Sequence, residues 1–305
     1  MNTMQSVDPA SAKNATPSAI ETIIEGRRRD LGGFTVARVL PALARRAVGP
    51  VVFFDHMGPA TLIPGQGIDV RPHPHIGLAT VTYLFDGELV HRDSLGFVQP
   101  IEPGAINWMT AGRGIVHSER TGAAARALGS TLHGLQLWVA LPQAFEETDP
   151  GFRHYPADAM PELDVDGARL RVLVGDVYGA ASPVHTLASF FYAEARLPPG
   201  TELALPTGPE ERAAYIVEGV VQCGDVRVDE PRMIVFAPAS APIVRSESGA
   251  RLMLLGGASL DGERHLWWNF VSSRLDRIEE AKRDWAGGRF PSVPGETEAA
   301  PLPEG

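Results

Sequence analysis

The chain has 305 residues, 44% apolar and 21% charged, the balance of a soluble globular protein with room for two domains of ordinary size. Its formal net charge of −10 argues against a nucleic-acid-binding surface, which needs concentrated Lys and Arg. A single cysteine, Cys223, excludes an intramolecular disulfide and reads as a buried structural thiol, and no stretch approaches the ~20 apolar residues of a membrane-spanning helix.

Residues 1–22 are polar, carry no apolar signal core, and read as a flexible tail, which points to the cytoplasm. The basic runs Arg27-Arg28-Arg29 and Arg45-Arg46 read as solvated faces or local ion pairs. From Thr35 the chain turns β-rich: Thr35–Leu40, Val51–Asp55, Ala79–Phe85, Ile106–Met109 and Leu135–Val139 are short apolar runs bounded by Gly or Pro. Asp86-Gly87 and Pro103-Gly104 are turn pairs, because Gly tolerates positive φ and Pro presets the first turn position. Closely spaced strands without long helices between them predict an all-β, antiparallel sandwich or barrel.

Tyr83-Leu84-Phe85-Asp86-Gly87 recurs as Tyr215-Ile216-Val217-Glu218-Gly219, at an offset of 132 residues. The repeat predicts two related domains. The divisions expected are a first domain over 23–150, a connecting segment over 151–185, a second domain over 186–289 and a C-terminal tail over 290–305. Ser273 to Trp285 reads as one amphipathic helix packing on the second domain. Ser273-Arg274-Leu275-Asp276 resembles a capping box, Leu275, Ile278, Ala281 and Trp285 form the apolar stripe, and Glu279 and Arg283 are spaced for an ion pair.

Two short segments carry chemistry. Arg71-Pro72-His73-Pro74-His75 places two imidazoles two residues apart, and His117-Ser118-Glu119 does the same for an imidazole and a carboxylate. In a strand, such pairs project from one face, roughly 6–7 Å apart. Pro72 and Pro74 push the residues before them toward extended conformations and place the segment at a strand end or bulge. The 42 positions from His75 to His117 allow the chain to return across a barrel. His73, His75, His117 and Glu119 are therefore the candidate metal ligands. On the repeat offset, His73 corresponds to Leu205 and His75 to Thr207, so only the first domain is equipped. Three neutral imidazoles and one carboxylate leave a divalent metal at net charge +1, suited to an anionic oxygen ligand. A nitrogen and oxygen shell without thiolate admits Fe2+, Mn2+, Ni2+, Cu2+ or Zn2+. His56, His133 and Gln136 are candidates for orienting the ligands, with a hydrogen-bonded core role the simpler reading for each. His91, His154, His185 and His265 show no ligand-like pairing.

These segments resemble the pirin family of the cupin superfamily. The matching stretches are His73 to Gly77, Thr80 to Gly87, Phe53 to Pro59, Gly134 to Trp138 and, most specifically, Asn107 to Glu119. The resemblance implies two β-barrel cupin domains, a bicupin, with iron in the N-terminal one held by His73, His75, His117 and Glu119. Many pirins carry Glu-Thr where this chain has Ala79-Thr80, a departure expected to alter the pocket wall. Some pirins resemble quercetin 2,3-dioxygenases. This implies Fe2+-dependent cleavage of a flavonol by O2, with Glu119 as general base and Trp108 and Met109 near the substrate wall. Other pirins act as iron-dependent regulators, so the alternative is a redox sensor that binds a protein partner without turnover. Under either reading the chain is expected to be a monomer that binds neither nucleic acid nor membrane.

Overall fold

The computed structural model describes residues 18–30 and 34–303. A seven-stranded antiparallel sheet runs in the order Gly151–Tyr155, Ile106–Thr110, Leu78–Gly87, Ser130–Ala140, Val51–Leu62, Thr35–Leu40, Arg27–Asp30. A four-stranded sheet of Asp69–His75, Ile115–Arg120, Leu89–Asp93 and Val98–Ile101 lies against it, with Leu84, Met57 and Leu132 of the first packing on Leu89 and Ile101 of the second. The second half of the chain builds a related sheet whose centre is Arg232–Phe236, Glu211–Cys223, Ala250–Gly257 and Phe190–Leu197. Both expected β domains are present, with sheet edges left open rather than closed by hydrogen bonds. Cys223 is free and buried in the second.

Strand alternation divides each central strand between two cores. Val81, Tyr83 and Leu135 of the first domain and Ala213, Tyr215 and Met253 of the second face one another in a shared core. The opposite faces point into each domain's own interior. In the second domain that interior is apolar, filled by Ala214, Ile216, Leu252 and Leu254. In the first it carries Thr80, Thr82 and Gln136, a polar lining in the matching place. Leu203, Leu205 and Val244 are buried in the second domain's apolar cluster, and among the described residues the one group of converging metal donors is in the first domain. The repeat is structural as well: Gly87 and Gly219 adopt nearly the same left-handed φ of 87° and 86°.

Several segments cross between the halves. Ile20–Glu25, in part within the expected N-terminal tail, is a strand paired with Arg232–Phe236, while the rest of that tail to residue 17 lies outside the described residues. Gly151–Tyr155 pairs with Ile106–Thr110 of the first domain. The C-terminal helix spans Leu275–Ala286. It packs Ile278 and Ala281 against Phe270, within the second domain's span, and against Ile76, the neighbour of His75, and so reaches the first domain as well. Arg277 reinforces this, donating to the Arg113 carbonyl at 2.7 Å and to Glu147 at 2.9 Å. The expected capping box does not form. Ser273 instead gives its hydroxyl to Glu146 at 2.9 Å, and Glu279 pairs with Lys282 at 2.7 Å rather than with Arg283. Beyond the helix, the tail runs along the first domain: Ala300 N–H donates to the Pro72 carbonyl and Arg120 pairs with Glu296.

Candidate metal centre

The four-stranded sheet assembles the two half-sites. His117 lies directly opposite His73, and Ile115 opposite His75. Asp69–His75 is an edge strand, so Pro72 and Pro74 leave no internal ladder position without a donor. The register shifts between His117 and Glu119, the irregularity that proline in a strand predicts. Gly77 closes the segment with φ of 67°, and a Cβ there would fall 1.9 Å from the Val271 carbonyl oxygen, so only glycine admits the C-terminal strand this close.

His73, His75 and His117 converge, with ligating nitrogens all within 4.8 Å of one another. Their hydrogen bonds select which nitrogen is free. His73 Nδ1 lies 2.8 Å from the Arg71 carbonyl and His75 Nδ1 3.1 Å from the Asn269 carbonyl. A carbonyl only accepts, so both Nδ1 atoms carry the proton and both Nε2 atoms keep a lone pair. Burial pushes His75 and His117 well below the ordinary imidazole value, with neighbouring histidines adding to the effect. Burial also lowers His73, opposed by the Arg71 carbonyl and by the charge of Glu119. Three buried, neutral imidazoles with converging lone pairs are a donor set that fits a divalent transition metal.

Glu119 projects from the same strand face, two residues beyond His117. Thr82 donates its hydroxyl to Glu119 Oε1 at 2.9 Å, and Gln136 donates Nε2–H to Oε2 at 2.9 Å. Gln136 therefore does orient a candidate ligand. His56 and His133 do not: their Nε2 atoms meet each other at 2.8 Å, and His56 Nδ1 meets Tyr215 of the second domain at 2.8 Å.

Family models for Pirin and for the Pirin C-terminal cupin domain match residues 33–139 and 192–291. A pirin-like protein of Caulobacter vibrioides is 48% identical over 93% of this chain and 100% of its own length. The chain belongs to the pirin family. A structure titled quercetin 2,3-dioxygenase from Acinetobacter baumannii superposes with a TM-score of 0.85 at 34% identity, covering 93% of this pirin and 96% of that chain. A bacterial pirin of Escherichia coli in complex with nickel(II) shares the fold, with a TM-score of 0.63 at 18% identity over 78% of this chain and 99% of that one.

Other expectations fall differently. Trp108 points into the shared core between the domains, where it approaches Phe190. Met109 lies on the opposite face of its strand, clustered with Phe53 and Trp138. Ala79 is also in the shared core, so the departure at that position leaves the metal side of the wall unchanged. Trp138 is the aromatic at the centre: its ring is 5.1 Å from that of His75 and stacks on Phe53 at 3.8 Å. His91, expected to have no ligand-like pairing, is buried at 2% exposure with Nδ1 3.3 Å from His117 Nδ1. The spacing of His91 and Asp93 repeats the i, i+2 pattern of the two half-sites and was the signal that could have found it. Among the described residues no helix is long and apolar enough to cross a membrane.

Proposed function

We propose that this pirin is a metal-dependent dioxygenase of the quercetin 2,3-dioxygenase type, with Fe2+ as its metal and His73, His75, His117 and Glu119 as its ligands. The observation that carries the reading is the convergence of three buried imidazoles. Glu119, two residues beyond His117 and held at both oxygens, lies outside that converging group and is proposed as the fourth ligand from its place on the strand. The similarity to a structure bearing the name quercetin 2,3-dioxygenase supports the choice of reaction. When bound, the metal supplies Lewis acidity and a template for O2 and an ionised flavonol.

The protein's own groups have separable tasks. Glu119 takes the proton of the flavonol 3-hydroxyl; each carboxylate oxygen keeps lone-pair capacity beyond the bond it accepts from Thr82 or Gln136. Those two donors fix the carboxylate plane before substrate arrives. The stacked Phe53 and Trp138 rings form a buried apolar wall next to His75.

The test is metal analysis of the protein and of His117→Ala, each mixed with quercetin in air while absorbance and oxygen are followed. Stoichiometric iron with flavonol loss and oxygen uptake in the parent, both abolished in the variant, is the expected result. Stoichiometric iron without turnover would overturn the dioxygenase reading in favour of a redox-sensing regulator.

A further inference from the structure

We propose that His91 and Asp93 form an outer relay that makes His117 the strongest electron donor of the three imidazoles. The proposal rests on the metal-centre reading above and adds two positioning residues that contact no substrate.

The relay follows from register. Leu89–Asp93 pairs with Ile115–Arg120 so that Asp93 sits opposite His117 and His91 opposite Glu119. His91 and Asp93, two residues apart, share the inward face with the ligand pair. His117 Nδ1 is 3.3 Å from His91 Nδ1, and His91 Nε2 is 3.0 Å from Asp93 Oδ2.

The protonation pattern is then forced by chemistry. A metal on His117 Nε2 leaves the proton of that ring on Nδ1. His91 Nδ1 must accept it, so the proton of His91 sits on Nε2, where it is given to Asp93. Two N–H bonds therefore point in one direction, from the metal toward a carboxylate. His73 and His75 end instead on neutral backbone carbonyls. An anionic acceptor draws the N–H proton more strongly and leaves more electron density on the metal-binding nitrogen.

The relay is rigid. The His91 ring stacks on Phe152 at 4.2 Å with an interplanar angle of 13°. Asp93 is fully buried, and its Oδ1 accepts the Leu95 N–H at 2.9 Å and the Phe97 N–H at 3.1 Å. Oδ2 is thus held toward His91 while Oδ1 caps the turn. Among the described residues no Lys or Arg is paired with Asp93, so its charge is satisfied through hydrogen bonds and the relay.

The test compares the whole protein with Asp93→Asn, which keeps the shape and the turn cap, and with His91→Phe, which keeps the stack on Phe152. Zn2+ affinity is read by competition with a chromophoric chelator, and the midpoint potential is read on the iron-loaded forms. Zn2+ binding is expected to weaken by about 10–100-fold in each variant. The midpoint potential is expected to rise, while the melting temperature of metal-free Asp93→Asn stays near that of the parent. Unchanged affinity and potential in folded variants would overturn the relay alone. A parent that binds no metal would overturn the centre and the relay together. Long-range 1H–15N spectra of the Zn2+-loaded parent need no variant: protons on His117 Nδ1 and His91 Nε2 are expected, and a proton on His91 Nδ1 would refute the proposal.

Discussion

His75 donates its Nδ1 proton to the backbone carbonyl of Asn269, a residue 194 positions further along the chain and 3.1 Å away. The next residue on each side continues the contact, since Ile76 and Phe270 form a parallel bridge. A ligand of the first domain is therefore oriented by a backbone carbonyl from the second domain's span of the chain.

This clasp makes Phe270 a determinant of the metal centre. Its ring is fully buried among Ile76, Ile278 and Ala281. Phe270→Ala should cost roughly 3–5 kcal/mol of stability. It should also weaken metal binding, because the Asn269 carbonyl loses its fixed position. Urea denaturation and a Zn2+ titration on the folded variant measure the two effects separately. A destabilised variant with parental Zn2+ affinity would show that the clasp holds the fold but not the ligand.

The interface between domains carries a reciprocal pair of contacts. Tyr83 of the first domain donates its hydroxyl to Glu194 of the second, and Tyr215 of the second meets His56 of the first. His56 and Glu194 hold matching places, since His56 and Tyr83 both pair with Leu135 while Glu194 and Tyr215 both pair with Met253. Burial, with His133 adding to it, pushes His56 from 6.5 down to about 4. The unfolded chain accepts a proton at that position which the folded chain resists. The His56 contribution is therefore complete above pH 6.5, is lost as pH falls through the window to 4, and changes no further below it. The shift is worth about 3 kcal/mol, read from 6.5 and 4. His56→Phe should flatten the stability profile between pH 7 and pH 4 by about that amount. Subtracting the two proteins' denaturation curves removes the contribution of the ligand histidines, and parallel profiles would clear His56 as the cause.

The parts of this protein legible in its sequence are those set by strand period. His73 and His75, and His117 and Glu119, share a face because residues two apart must do so, and the second domain's lack of ligands followed from aligning Tyr83 with Tyr215. What the period cannot give is which face meets which core. Trp108 and Met109 are adjacent, so one had to point away from the metal, and only tertiary packing decided that it was Trp108. Partner choice is equally non-local. Ile20–Glu25 joins the second domain's sheet beside Arg232–Phe236, and the C-terminal helix packs on Phe270 and Ile76, contacts that no local period encodes. His91 is a different case, since its spacing to Asp93 was available and carried the signal.

Gln136 tests how far Glu119 depends on its supports. At the matching place on the partner strand of the second domain stands Leu254, buried in an apolar interior. Gln136→Leu would remove the donor to Oε2 while leaving Thr82 on Oε1. Metal affinity should fall by about 10–100-fold, the range for partners that orient ligands. Thr82→Val should act in the same direction, and the double variant should fall short of additivity because both bonds hold one carboxylate. Chelator competition on the three variants checks this. Parental affinity in all three would argue that Glu119 does not bind the metal.

The C-terminal tail offers the last prediction. On the strand that carries His117 and Glu119 inward, Ser118 and Arg120 face outward. Ser118 donates to Glu296 Oε1 at 2.9 Å, and Arg120 binds the same carboxylate through Nε at 3.0 Å and a terminal nitrogen at 2.7 Å. The Arg120 hydrogen bonds hold the Glu296 carboxyl below its ordinary value. The tail is thus fastened to the back of the ligand strand. Glu296→Gln should cost about 1 kcal/mol, the upper end for a partly exposed pair with bidentate geometry. Deleting residues 291–305 should cost more, since it also removes buried Val293 and the Ala300 contact to Pro72. Melting temperatures should fall in the order parent, Glu296→Gln, deletion. The gap between the first two should narrow in 1 M NaCl, where the screening length is about 3 Å. Metal release to excess chelator should quicken in the same order as the ligand strand loosens. A deletion protein that melts lower yet releases metal at the parental rate would confine the tail to fold stability.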